Sequence, residues 1–340
     1  MRLFVTTGEI EFRMSMSSIN RAVVTAGVLI AITASSVYCR AGTPAGRCAL
    51  PQISDTGGED YYRNAYTLID LPLGDLVEAV PELRGLVPAA GQQSLPRILS
   101  EVGKGVEESY QKFTEIVANE QVTQEQCGPA GRPKTTIHHE FNYLILPHHE
   151  SGQVQVDEYR TNTDGKPAGG SIEGHPFTVG FASVWALFYP ANQSDSKFRY
   201  LGQLQSSGPP MQVIAFAQKP GWSVIRSVAV SEGQTIQLLN QGVAWIDAAT
   251  HKIVRIRTDL LKPRLDVKLE MQTTEIRFGE IHISDAASSP LWVPIQVIVT
   301  TVWNGQVFRD EHLYSHYRLP GSSTKIKSVP EETGPLPKTN

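Results

Sequence analysis

From Ile137 onward apolar residues return at every second position, segment after segment, with turn chemistry between the segments. That period belongs to extended strands with one buried face, and it commits most of the chain to antiparallel sheet. Ile137, His139, Phe141, Tyr143 and Ile145 alternate with His138, Glu140, Asn142, Leu144 and Leu146. After a turn at His148–Gly152 the pattern resumes from Val154 to Arg160. Glu120–Gln126 reads as a polar strand. Further strands are expected at Phe198–Leu204, Met211–Gln218, Gln234–Ile246, Ile253–Asp259, Val267–Ile283, Trp292–Trp303 and Gln306–Arg318. Asn304-Gly305 is the strongest hairpin signal in the chain. In Val267–Ile283 the apolar phase starts on Val267, Leu269 and Met271, moves to Ile276 and Phe278, and moves again to Ile281 and Ile283. A flat strand keeps one phase. Bulges near Thr273-Thr274 and at Gly279 are therefore expected, and with them a long curved strand.

Two segments carry helical spacing instead. Leu99, Val102, Val106, Tyr110, Phe113 and Val117 recur at three or four residues, which predicts a helix from Ser94 to about Asn119 with one buried stripe. Ser94 can cap it, and Pro96 sits where a first-turn proline is tolerated. Phe181, Val184, Trp185 and Phe188 fit a shorter helix over 177–189 that Pro190 ends. Residues 66–90 hold short apolar clusters interrupted by Pro72, Pro81 and Pro88, so only brief helical turns are expected there. The expected class is α+β: one curved antiparallel sheet, a half-barrel of about nine or ten strands, around one long and one shorter helix on its concave side. The expected divisions are a signal peptide over 1–41, a loop and short-helix segment over 42–94, the half-barrel over 95–318 and a disordered tail over 319–340.

The signal peptide is read from the uncharged run Ala22–Ala34 behind Arg21. It is shorter than the roughly 20 apolar residues a membrane-spanning helix needs and suits a signal core. Cys39-Arg40-Ala41 loosely fits a cleavage site. A lipid anchor at Cys39 is disfavoured, because Tyr38 stands where a small residue is required. The expected location is the periplasm or cell envelope. Four basic and two acidic side chains leave with residues 1–41, so 26 Lys and Arg remain against 32 Asp and Glu, a net charge of −6. That balance argues against a nucleic-acid partner, which would need a basic surplus. Cys48 and Cys127 can pair as a disulfide in an oxidising compartment, or stay as two thiols.

At Gly242-Val-Ala-Trp-Ile-Asp-Ala-Ala-Thr-His-Lys-Ile-Val-Arg-Ile the chain resembles the lipoprotein-carrier half-barrels of the bacterial envelope, the LolA and LolB group. Thr274-Glu-Ile-Arg-Phe, Leu291-Trp-Val-Pro and the final hairpin are similar to it too, and the resemblance covers roughly residues 95–318. It implies a sheet wrapped round helices with an apolar cavity for acyl chains, and it brings no catalytic residues.

Phe113, Phe181, Trp185, Phe188, Trp245 and Trp303 are the candidate lining of such a cavity; ordinary core is the alternative for each. His138-His139-Glu140 and His148-His149-Glu150 carry metal-ligand chemistry. On a strand His138 and Glu140 share a face, so His138, Glu140 and the turn residue His148 are the candidate ligands, against a solvated polar face. No Gly-x-Ser-x-Gly elbow, phosphate loop or dinucleotide turn is present, and no cofactor is expected. The leading expectation is a non-enzymatic exported protein that binds or carries a lipid or acylated protein. The alternative is a structural or interaction module with a filled core and an envelope-protein partner, and a metal-dependent or other hydrolase comes third.

Overall fold

The computed structural model describes residues 29–32, 58–112, 116–128, 131–150, 152–166, 177–179, 182–205, 208–221, 227–231, 234–283 and 290–318. The elements are β1 (Leu29–Ile32), α1 (Gly58–Tyr62), α2 (Leu73–Ala79), β2 (Leu86–Pro88), α3 (Leu95–Lys112), β3 (Ile116–Cys127), β4 (Pro133–Glu150), β5 (Gln153–Thr161), β6 (Phe177–Val179), α4 (Ala182–Trp185), β7 (Ser196–Leu204), β8 (Met211–Gln218), β9 (Ser227–Ser231), β10 (Gln234–Leu238), β11 (Asn240–Asp247), β12 (Ile253–Leu260), β13 (Leu269–Ile281), β14 (Leu291–Trp303) and β15 (Gln306–Arg318). An 11-stranded antiparallel sheet has the order β2-β7-β8-β11-β12-β13-β14-β15-β3-β4-β5 and is open, with β2 and β5 as edges. Its eleventh strand, beyond the ten expected, is β2. The segment before α3 is therefore built into the main sheet.

The sheet must curl, because its distant strands meet one short segment. From β7 to β5 are nine strand-to-strand steps, about 43 Å on a flat sheet. Yet the Phe188 ring lies 5.6 Å from the Phe198 ring on β7, and four residues on, the Asn192 amide donates to the Val154 carbonyl on β5 at 2.9 Å. The same amide accepts from Val154 N–H at 3.3 Å, so it caps backbone groups on an edge strand. Ile98, Val102, Val106 and Tyr110 of α3 pack with Trp185 to Tyr189 against inward residues of β3, β4, β5, β8, β11, β12, β13 and β14 as one core.

Outside the sheet, α2 and the 3-10 turn Pro81–Leu83 cover β7, β8 and β11: Leu76, Val80 and Leu83 pack on Leu201, Val213, Ala215, Val243 and Trp245. β8 and β11 are buried on both faces. Glu82 anchors this cover between Arg255, at 2.8 Å, and Arg257. β2 lies so close to β7 that the Val87 carbonyl occupies the place of a Cβ on Gly202, whose φ is +136. Only glycine fits there.

Several expectations need correction. The predicted helix ends at Lys112 and Val117 belongs to β3, because the apolar spacing runs on into the strand. Phe177–Val179 is strand, and the predicted 177–189 helix shrinks to α4, followed by 3-10 turns at Ala186–Phe188 and Pro190–Asp195. Gln234–Ile246 splits into β10 and β11, which lie in different sheets. The bulges on β13 fall at Leu269/Met271 and Arg277/Phe278. The predicted turn at His148 moves on, and His148 and His149 lie within β4. Leu29–Ile32, inside the predicted signal run, pairs with β6 and β9 in a 4-stranded sheet, β10-β9-β1-β6. No described helix is long and apolar enough to cross a membrane.

Candidate functional site

A cleft of about 140 Å³ opens between α3, the β11–β12 turn and the start of β14. Val102 and Val106 of α3, Trp185, Ile253 and Leu291 give it apolar walls. Gly105 also faces it, and a Cβ built there would meet nothing within 4 Å. Gly103 differs: its Cβ would stand 2.8 Å from Gln193 Nε2 and 3.2 Å from Pro190 Cγ. Close packing therefore explains Gly103 and not Gly105. An interior helical glycine costs about 0.8–1.0 kcal/mol relative to alanine, and what Gly105 provides in return is open space in the cleft.

The turn at the mouth is rigid. Asp247 Oδ1 accepts from Ala249 N–H at 3.0 Å, Thr250 N–H at 2.7 Å and the Thr250 hydroxyl at 2.8 Å. Led by the Thr250 N–H bond, these hold the Asp247 carboxyl below the usual aspartate range. His251 follows at φ 55. Its Nε2 is enclosed and has no hydrogen-bond partner among the described residues. Lys252 Nζ lies 4.8 Å over the Trp292 ring and 3.4 Å from Glu280. The Trp292 indole N–H donates to Ile253 O at 2.6 Å and fixes the ring.

A second polar group sits inside the core, on the strands at the other end of the sheet. Glu120 of β3 is fully buried and paired with Arg160 of β5. Tyr314 OH donates to Glu120 Oε1 at 3.0 Å, and His312 Nδ1 is 2.9 Å from the same oxygen. A carboxylate only accepts, so the neutral ring carries its proton on Nδ1. Burial alone would raise Glu120; Arg160 and the His312 bond outweigh it and bring it to about 2. Burial lowers His312 and keeps it neutral. Glu158 accepts from Tyr143 OH and from Ser183 N–H at 2.8 Å, which ties α4 to β5. Sequence reasoning missed these groups. The available signal was that Glu158 and Arg160 share the phase of Val154 and Val156, with opposite charges on the buried face.

The candidate cavity residues separate. Trp185 and Phe188 lie on the concave side, Trp185 against Tyr110 at 5.2 Å and Phe278 at 5.6 Å. Trp245 is on the outer face, its ring 4.6 Å from the Arg255 guanidinium. Trp303 belongs to another cluster with Leu238, Leu260, Leu269 and Phe308. Phe113, Phe181 and Cys48 fall outside the described residues; Cys127 is half-buried and a free thiol among the described residues. His138 is 3.2 Å from Thr123 Oγ1 and His148 is 3.7 Å from Asp157. Ten residues of strand, about 33 Å, keep the two histidines apart, so His138, Glu140 and His148 do not converge. Among the described residues no group of three metal-ligating side chains forms.

No family model and no curated protein matches the sequence. Among solved structures the chain is similar to a DUF1329 family protein from Desulfovibrio piger, at 9% identity over 66% of this chain and 94% of that one, with a TM-score of 0.35. It is also similar to a domain assigned to outer membrane lipoprotein sorting from Vibrio parahaemolyticus, at 12% identity over 66% and 98%, with a TM-score of 0.32. The MucA/MucB complex of Pseudomonas aeruginosa gives 13% identity over 68% and 95%, with a TM-score of 0.17.

Proposed function

We propose that this is an exported, non-enzymatic binding protein that takes an apolar chain of a lipid or acylated protein into the cleft beside α3. The single observation that carries this is Gly105, a helix-weakening glycine with no packing reason to be there except the open apolar space it leaves. The resemblance of residues 242–256 to the lipoprotein-carrier group supports it, since Thr250–Ile253 of that segment line the cleft. At about 140 Å³ the cleft compares with an engineered apolar cavity of about 150 Å³ that accepts benzene. It holds one chain end.

Gly105→Phe tests the proposal. The ring fills the cleft and abolishes binding of an environment-sensitive naphthalene sulfonate probe, while Gly105→Ala keeps binding and stabilises the fold by about 0.5–1 kcal/mol. Unchanged probe binding in Gly105→Phe would refute the site. A second reading, an interaction module with a filled core, is favoured by the size of the cleft, below the roughly 300–1,000 Å³ of ordinary ligand pockets. It gains if no lipid co-purifies by mass spectrometry and the probe fails to bind the native protein.

Export has its own test. The mass of the protein recovered from the envelope is expected to correspond to a start at Gly42, with a peptide linking Cys48 to Cys127 in a non-reducing digest. Retention of Leu29–Ile32 would overturn cleavage, and full alkylation of both thiols would overturn the disulfide.

A further inference from the structure

The walls of the cleft are apolar, but its mouth is not, and the mouth holds a residue that ordinary folding leaves unexplained. His251 occupies the left-handed region at φ 55, where glycine or asparagine sits with less strain. A tight turn alone would be served by either. His251 lines the cleft and its Nε2 is enclosed without a hydrogen-bond partner among the described residues, and a buried polar atom left unpaired costs free energy. Strain and an unpaired polar atom on one side chain at the edge of a cavity form the pattern of a ligand contact. Next to it Lys252 presents an ammonium that can only donate, held over Trp292 at 4.8 Å. The Asp247 bonds that lock the turn fix both residues in place.

Resting on the apolar-chain reading of the cleft, we infer that the bound molecule is an amphiphile with an anionic oxygen head, a carboxylate or a phosphate, and that His251 and Lys252 receive the head while the chain enters between α3 and Ile253. Glu280 already neutralises part of the Lys252 charge at 3.4 Å, and Glu108 also borders the cleft. The acidic neighbours make the opposite preference, for a cationic head, the competing outcome.

The test compares eight-carbon ligands on the full chain by calorimetry: octanoate, octyl phosphate, octanol and octylamine. Octanoate or octyl phosphate binds about tenfold tighter than octanol and octylamine, the scale of a hydrogen bond to a charged group. Whichever anion is tighter distinguishes a carboxylate from a phosphate source. His251→Asn tolerates the left-handed backbone but is too short to reach the head, and Lys252→Met keeps its stem on Trp292. Each lowers anion affinity about tenfold and leaves octanol unchanged. Octylamine binding as tightly as the anions, or both variants binding octanoate like the native protein, overturns the inference while leaving the cleft intact. Failure of all four ligands and of the naphthalene sulfonate probe removes the cleft reading itself.

Discussion

Replacing Arg160 with alanine is expected to cost about 3–5 kcal/mol of folding stability, the range for removing one partner of a buried ion pair. That is a large part of the roughly 5–15 kcal/mol that holds a domain together. The loss comes from the group left behind: Glu120 is fully buried, and without the guanidinium its carboxylate keeps only neutral donors. Glu120→Ala strands Arg160 in the same way. Replacing both at once, as Glu120→Leu with Arg160→Met, is expected to cost less than either single change, because no buried charge remains. The exposed pair Lys104–Glu101, at 3.1 Å, is the internal control, and breaking it should cost under about 1 kcal/mol. Urea unfolding decides the matter; an Arg160→Ala loss as small as the control's would show that the pair is not enclosed. The pH dependence has a definite sign. Glu120 is depressed to about 2 in the folded chain, so its contribution, on the order of 3 kcal/mol, is present above the unfolded value and disappears as pH falls toward about 2. His312 is also depressed by burial, so the unfolded chain takes up its proton first and stability declines below about pH 6.5. Both groups push the same way, and Glu120→Gln should flatten the acid limb.

Local grammar made much of the sheet legible. Met211–Gln218 and Gln306–Arg318 begin and end where alternation and turn residues put them. Asn304 and Gly305 take φ 52 and 71, the paired positive angles that a two-residue hairpin turn demands. What the sequence hid was which face each phase would meet. β8 and β11 are covered on the inside by α3 and on the outside by α2. Trp245 therefore reads as a cavity aromatic although it faces outward. The end of α3 was hidden as well, since Phe113 and Val117 continue the helical spacing across a helix-to-strand boundary. Glu120, Arg160 and His312 come from strands far apart in sequence, and only register brings them together: Val122 pairs with His312, and Glu120 with Tyr314. A charge in the buried phase marks where a partner is needed and does not say from which strand it comes.

Trp185→Ala separates a binding wall from ordinary core. The indole is 2% exposed and packs on Tyr110 and Phe278, so truncation is expected to cost about 3–5 kcal/mol. Phe188→Ala carries a similar cost, its ring being packed on Phe198 and Phe216, both at 5.6 Å. The two voids differ in place. Trp185 lines the cleft, so its void joins the open space; Phe188 does not line it. A longer chain can enter the first void and not the second. Decanoate at 100 times its dissociation constant for Trp185→Ala should therefore stabilise that variant by about 2.7 kcal/mol, more than it stabilises the native protein, while Phe188→Ala, whose cleft is unchanged, gains only what the native protein gains. Thermal unfolding with and without decanoate reads the difference directly. Gains in Trp185→Ala no larger than in the native protein and Phe188→Ala would mean that Trp185 is core and the cleft does not extend behind it, and no gain in any of the three would mean that the chain does not enter the cleft.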